Sequence, residues 1–183
     1  MQHLPVRIKN VDKETLGKKI YQVSNIKGNF TLRSGQLASE YFDKYLFEAQ
    51  PNLLVEIAKQ LSFFVPDDVN ALAALEMGGI PIATALSLQT GIPLIFVRKK
   101  AKLYGTCKLA EGGTVTDRRL LIIEDVVTSG GAVVEAVNQL RKLGANIDRA
   151  LCVIDRESSG RKNLQNIGVE FEPLFTKSYL ESL

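Results

Sequence analysis

From residue 69 onward the chain alternates short, unbroken apolar runs with segments whose apolar residues return every three or four positions. The runs at 69–75, 93–97, 120–123, 147–154 and 169–171 read as strands. Segments 80–90, 132–143 (closed by Gly144) and 161–167 (closed by Gly168) read as helices between them. Strands that are apolar at nearly every position, rather than at alternate ones, are buried on both faces. Their alternation with helices predicts an α/β fold, a central and mainly parallel sheet flanked by helices. Ligands of such sheets sit beyond the carboxyl ends of the strands, and chemistry is expected there.

Upstream the pattern is mixed. Leu16, Ile20 and Val23 share a helical face in a segment spanning residues 12 to 26, which Gly28-Asn29 is expected to stop. Residues 30–33 and 41–45 read as two short strands joined by a turn at Ser34-Gly35. Pro51 suits a first helical position and opens a helix to residue 64, with Leu53, Leu54, Ile57, Ala58 and Leu61 on one face. No repeat, low-complexity tract or Pro/Gly/Ser-rich linker divides the chain. Residues 1–183 are read as one domain, with small N-terminal elements over about 1–45 and a core over about 50–175.

Composition narrows the chemistry. The single histidine, His3, excludes Ser-His-Asp and Cys-His hydrolysis, His-rich zinc sites and HExxH peptidases, each of which needs an internal imidazole. Acid–base and binding work falls to carboxylates, lysines, tyrosines, backbone amides or the substrate. The net charge of +3 is too small to draw nucleic acid by bulk electrostatics, so no nucleic-acid partner is expected. Cys107 and Cys152 are too few and too far apart for a disulfide framework or a CxxC metal site, and are expected as free thiols in a reducing cytoplasm. The first ten residues lack the apolar run of a signal peptide, and no stretch approaches the roughly 18 apolar residues of a membrane span. A soluble cytoplasmic chain with no membrane partner is the expectation.

The most informative stretch is Leu120-Leu121-Ile122-Ile123-Glu124-Asp125-Val126-Val127-Thr128-Ser129-Gly130-Gly131-Ala132. A buried strand ends in two adjacent carboxylates, and a turn of hydroxyl-bearing and glycine residues leads straight into a helix. Small residues let the main chain fold tightly around a ligand and offer it several N–H groups, while the helix dipole favours an anion such as a phosphate monoester. The carboxylates would repel that phosphate, so they need a different partner; the vicinal hydroxyls of a sugar, or a magnesium ion, would suit. Phosphate and diol one short loop apart describe a ribose 5-phosphate. A lone Glu-Asp pair more often merely solvates a strand end, but strand, pair, loop and helix fall in register here. No GK[ST] follows the glycines, so this is not a Walker loop.

Two further features bear on the site. The segment Arg98-Lys99-Lys100-Ala101-Lys102-Leu103-Tyr104-Gly105-Thr106 leaves a strand with four cations in five positions, and Gly112-Gly113 lie beyond it. As a bare charge run it reads as a solvated face. Beside a phosphate-binding loop it reads as a set of donors that close over a leaving pyrophosphate and exclude water. Asp155-Arg156 ends the apolar run 147–154, and the planar fork of Arg156 suits a carboxylate unless a neighbouring acid occupies it. Glu76-Met77-Gly78-Gly79-Ile80 forms another strand-to-helix turn at the same edge.

Glu124-Asp125-Val126-Val127-Thr128-Ser129-Gly130-Gly131 resembles the phosphoribosyl-pyrophosphate (PRPP) signature of the type I phosphoribosyltransferases. Arg98-Lys99-x-Ala101-Lys102-x-Tyr104-Gly105-Thr106, with Glu111-Gly112 behind it, resembles the flexible catalytic loop of the orotate phosphoribosyltransferases within that family. The resemblance runs from about Phe30 to the end of the chain. It implies the type I phosphoribosyltransferase fold with a small N-terminal hood, and the magnesium-dependent conversion of orotate and PRPP to orotidine 5-monophosphate and pyrophosphate in pyrimidine biosynthesis. Glu124 and Asp125 would hold the ribose hydroxyls, and Val126, Val127, Thr128, Ser129, Gly130, Gly131 and Ala132 the 5-phosphate. Arg98, Lys99, Lys102 and Tyr104 would meet the pyrophosphate, with Lys99, Lys102 and Asp125 central to catalysis. Thr128, Arg156 and Arg33 would bind orotate. Magnesium would be held mainly through substrate oxygens, and the loop at 98–113 would reach a neighbouring subunit's site in a homodimer.

Some positions depart from the family pattern. Arg33 stands where Lys is usual, Ala38-Ser39 where Ser-Pro is common, and Lys44-Tyr45 where Leu-Arg is frequent, whereas Tyr104, at a position that is His in many members and Tyr in others, is within the family's range. Lys44 reads as a solvent-facing strand lysine or as a further substrate contact. Two other readings are a phosphoribosyltransferase for another nucleobase and a non-catalytic, PRPP-sensing regulator.

Overall fold

The computed structural model describes residues 11–31, 35–101 and 108–183. Helix α1 (Lys13–Ser24) is capped by Asp12, whose side chain accepts from Thr15 N at 2.8 Å, and it buries Leu16 and Ile20. It ends at Ser24, two residues short of the expected boundary, because Asn25 is already extended. Gly28-Asn29, expected to stop the helix, instead lies inside strand β1 (Asn25–Thr31), where the register with β2 (Leu37–Phe42) shifts between Lys27 and Phe30. Arg33 and Ser34 lie outside the described residues.

Lys44 and Tyr45, expected to end a strand, open the short helix α2 (Lys44–Glu48). The cause is local: the Asp43 side chain accepts from Tyr45 N at 3.0 Å and turns the chain into a helix. Pro51 begins α3 (Pro51–Ser62) as expected, and buries Leu53, Ile57, Ala58 and Leu61.

The strand–helix alternation follows the sequence pattern in β3 (Ala71–Leu75), α4 (Gly79–Thr90), β4 (Leu94–Val97), β6 (Leu120–Val127), α5 (Gly131–Lys142), β7 (Arg149–Asp155) and α6 (Gly160–Gln165). β5 (Ala110–Glu111) and α7 (Lys177–Glu181) are not expected from that pattern, and β8 (Glu170–Thr176) runs five residues past the expected end at Phe171. The six-stranded sheet runs β5-β4-β3-β6-β7-β8, parallel except for the two-residue edge strand β5. One face packs on α5 through Leu120, Ile122, Ala150 and Cys152 against Val133, Val137 and Leu140. The other packs on α1, α3 and α4 through Leu72, Ala74, Leu121, Ile123, Leu151 and Val153. Both faces being covered explains the unbroken apolar strands.

The expected stop at Ile123 is overturned: β6 continues through Val127, with Glu124 in register with Cys152 and Val126 with Ile154. The acidic pair therefore belongs to the sheet rather than following it. Cys152 is a free thiol, and burial holds it well above its ordinary pKa, so it remains protonated and unreactive. Among the described residues no helix is long and apolar enough to cross a membrane.

Candidate active site

β3 is where the chain reverses across the sheet, since β4 pairs with one of its edges and β6 with the other. The connections leaving β3 and β6 part toward opposite faces and open a crevice at their carboxyl ends. The turn after β3 presses on the acidic pair. A Cβ added to Gly78 would lie 1.8 Å from Asp125 Oδ2, and one on Gly79 would lie 2.4 Å from the Ile123 carbonyl. Only glycine fits such an approach.

The loop after β6 is held from behind by its carbonyls. Val127 O accepts from Arg156 N at 2.8 Å, Thr128 O from Gly160 N at 3.1 Å, Ser129 O from Asn163 Nδ2 at 2.9 Å, and Gly130 O from Val134 N at 2.9 Å. Gly130, at φ 71°, turns the chain into α5, and no side chain caps that helix. Its first-turn N–H groups have no intrahelical acceptor and suit an anion. Thr128, Ser129, Gly131 and Ala132 are exposed there, whereas Val127 is buried with its side chain packed toward Gly160.

Asp125 is fully buried, and its Oδ2 lies 2.5 Å from Lys44 Nζ, which reaches over from α2. Glu48, one helical turn beyond Lys44, is also buried, and its Oε1 is enclosed with no hydrogen-bond donor on it among the described residues. Burial pushes the Glu48 carboxyl up to about 9, with the hydrogen bond to Asp125 adding to it. Burial and the Asp125 charge likewise push Glu124 up to about 9. Asp125 goes the other way: burial opposes its ionisation, but the bonds from Glu48 and Lys44 outweigh that and hold it below the usual carboxylate range. Glu124, partly exposed and held neutral, thus lies at the crevice, with the Asp125 anion enclosed beside it against Lys44. Acceptors and one donor side by side suit two vicinal hydroxyls.

Arg98 and Lys99 follow β4 at the same edge. Lys99 N donates to Glu76 Oε1 at 2.7 Å, tying the start of the basic segment to the turn after β3, and the Lys99 charge acts on Glu124. Arg98 N donates to Leu109 O at 2.9 Å, and Arg98 Nε lies 4.0 Å from Glu111 Oε1. Lys102 and Tyr104 lie outside the described residues.

Both acids flanking Arg156 are engaged elsewhere. Asp155 Oδ1 accepts from Glu157 N at 2.9 Å, and its Oδ2 lies 3.9 Å from Arg161 Nη2. Glu157, at φ 54°, accepts from Ser178 N at 2.6 Å and Ser178 Oγ at 2.7 Å. Arg156 instead lines a cavity of about 180 Å³ together with Tyr21, Asn25, Phe42, Val126 and Lys177.

The crevice brings together Lys99, Glu124, Asp125 and the Thr128–Ala132 turn, with Arg156 at the adjoining cavity. Sequence reasoning missed Glu48, Tyr21, Phe42 and Lys177, and put Lys44 on a strand. For Lys44 and Glu48 a signal exists: Asp43 at a cap position and two charges four apart place both side chains on one helical face. Nothing local marks Tyr21 or Lys177, which only the tertiary fold carries to the cavity.

The phosphoribosyl transferase domain family matches residues 46–172 of the chain. An orotate phosphoribosyltransferase from a Nocardioides species is 52% identical over 168 residues, covering 92% of this chain and 94% of that protein. One from Methanocella arvoryzae is 39% identical over 153 residues, covering 84% and 87%. Among solved structures, the orotate phosphoribosyltransferase of Mycobacterium tuberculosis superposes with a TM-score of 0.85 at 27% identity, covering 93% of this chain and 99% of that one. With the acidic pair, the glycine turn and the switch-point crevice all in place, the chain belongs to the phosphoribosyltransferase family, in its orotate phosphoribosyltransferase branch.

Proposed function

We propose that the crevice binds PRPP and the adjoining cavity binds orotate. The orotate ring nitrogen then attacks the anomeric carbon as the bond from that carbon to the pyrophosphate oxygen breaks. The ribose hydroxyls lie on Asp125, which accepts, and on Glu124, which donates through its acid proton. The 5-phosphate occupies the turn Thr128-Ser129-Gly130-Gly131-Ala132 with the backbone of Val126 and Val127, meeting the open amides at the start of α5. Arg98, Lys99, Lys102 and Tyr104 meet the pyrophosphate. Arg156, Thr128 and Arg33 take the base, the guanidinium of Arg156 pairing with the orotate carboxylate. Positioning and stabilisation of the departing charge supply the rate, because orotate is an adequate nucleophile once its ring nitrogen is deprotonated.

Magnesium would be held mainly through substrate oxygens and would neutralise charge on the leaving group. The site suits such an ion: its donors are hard carboxylate oxygens, and magnesium uses few protein ligands. The β1–β2 pair with α2 forms the hood over a core that runs to the C-terminal strands. The working unit is a cytoplasmic homodimer in which the loop at 98–113 closes over the partner's site.

The observation that carries this reading is the adjacent Glu124–Asp125 pair, Asp125 buried and Glu124 partly exposed, next to uncapped amides at the switch point of the sheet. The test is a spectrophotometric assay of orotate consumption with PRPP, run with and without magnesium and repeated with a panel of purine and pyrimidine bases. PRPP- and magnesium-dependent loss of orotate, and of no other base, is expected. Pyrophosphate release with a purine, or none with any base, overturns the assignment.

A further inference from the structure

Lys44 and Glu48 stand outside the roles given so far, and the family pattern does not supply Lys44, since Leu-Arg is frequent at positions 44–45. Both lie on α2, an element of the N-terminal region, yet both point into the core crevice. Lys44 Nζ is 2.5 Å from Asp125 Oδ2, and the Lys44 side chain is about one-third exposed while that of Asp125 is fully enclosed. Glu48 sits four residues on, buried, with its Oε1 enclosed and met by no hydrogen-bond donor among the described residues, and the Asp125 charge acts on it. A buried carboxyl group beside a buried carboxylate is favoured in its neutral form, in which it can donate. Gly78 closes against the same Asp125 oxygen so tightly that no side chain fits between them. Asp125 Oδ2 therefore meets both a cation and a glycine turn.

We propose that Lys44 and Glu48 are positioning residues for PRPP, a clamp borne by α2 that fixes the Asp125 carboxylate in the orientation the ribose hydroxyls require. The proposal rests on the reading of Asp125 as a ribose ligand. Lys44 supplies a counter-charge without which an anion in this enclosed place would be costly. Glu48 supplies one hydrogen bond as a neutral donor, which also limits rotation of the carboxylate. Neither residue need touch PRPP, because each acts through Asp125.

The experiment is steady-state kinetics of the full chain with PRPP, magnesium and orotate, with thermal unfolding of each variant alongside. Lys44→Met is expected to raise the KM for PRPP about ten- to a hundredfold, the range of a bond to a charged group, with the KM for orotate within about threefold of wild type. Lys44→Arg should recover most of that loss. In an Asp125→Asn background, Lys44→Met should cost less than about threefold, since the group it acts on is gone. Glu48→Gln, a neutral donor of the same shape, should keep the KM for PRPP within about threefold of wild type, while Glu48→Ala raises it severalfold.

An equal Lys44→Met loss in both backgrounds means that Lys44 meets PRPP directly and overturns the proposal. So does Glu48→Gln being as harmful as Glu48→Ala. Wild-type turnover with an unaltered Lys44→Met variant overturns the clamp alone. A wild-type chain that neither binds nor consumes PRPP overturns the reading of the site and the clamp with it.

Discussion

At the scale of single residues, the site depends on what is absent from Gly78 as much as on what Asp125 carries. A methyl group there would meet Asp125 Oδ2 at 1.8 Å, far inside van der Waals contact, and neither the turn nor the clamped carboxylate has room to retreat. Gly78→Ala is therefore expected to fold, since the clash is local, but to lose PRPP binding by about a hundredfold or more, as misplacement of a positioned group does. Calorimetric titration with PRPP and magnesium checks this, and wild-type affinity would contradict the geometry. The same residue shows why the turn was only partly legible in the sequence. Gly78-Gly79 marks a tight turn, but a turn after β3 faces the acidic pair only because β6 lies beside β3, and that adjacency is a property of strand order.

At the scale of elements, the segment between β7 and α7 holds Arg156 at the cavity by a chain of bonds, from Asp155 to Glu157 N and from the Glu157 carboxylate to Ser178. The Ser178 bonds also hold Glu157 below the usual carboxylate range. Glu157→Gln keeps one acceptor oxygen but loses the charge that receives both Ser178 donors. Its KM for orotate should rise severalfold, with the KM for PRPP unchanged. Initial-rate kinetics separate the two. Elements with a full period were readable from the sequence: the four inner apolar strands and helices α3, α4 and α5 stand within a few residues of expectation. Short elements were not. β5 has two residues, α2 and α7 have five each, and none contains enough positions to display a repeat. β6 was read as ending at Ile123 because carboxylates usually mark a strand end, whereas Lys44, Glu48 and the strand's neighbours make their burial tolerable.

For the molecule as a whole, placing Glu48 and Glu124 in the interior leaves a mark on stability. Each carboxyl rises from an ordinary 4.5 to about 9 in the folded chain, so below 4.5 both states are protonated and stability is fully present. Above it the unfolded chain releases protons that the folded chain keeps, and stability falls as pH rises toward 9. Asp125, held low, acts in the opposite sense but only in acid, below its ordinary 3.8. Unfolding free energy from urea titrations should therefore decrease between about pH 5.5 and 8.5, and Glu48→Gln should make the slope shallower. A flat wild-type profile would show that neither acid is neutral in the fold. The sheet carries one more consequence. Binding residues are usually drawn from segments that open easily, but Glu124 and Asp125 continue a central strand that pairs with β3 as far as Ile123 and with β7 as far as Val127. Their backbone is anchored in that strand, whereas Lys44 and Glu48 ride on a five-residue helix beside a two-stranded ribbon. If α2 bears the proposed clamp, its local opening would release the Asp125 carboxylate without melting the strand that bears it.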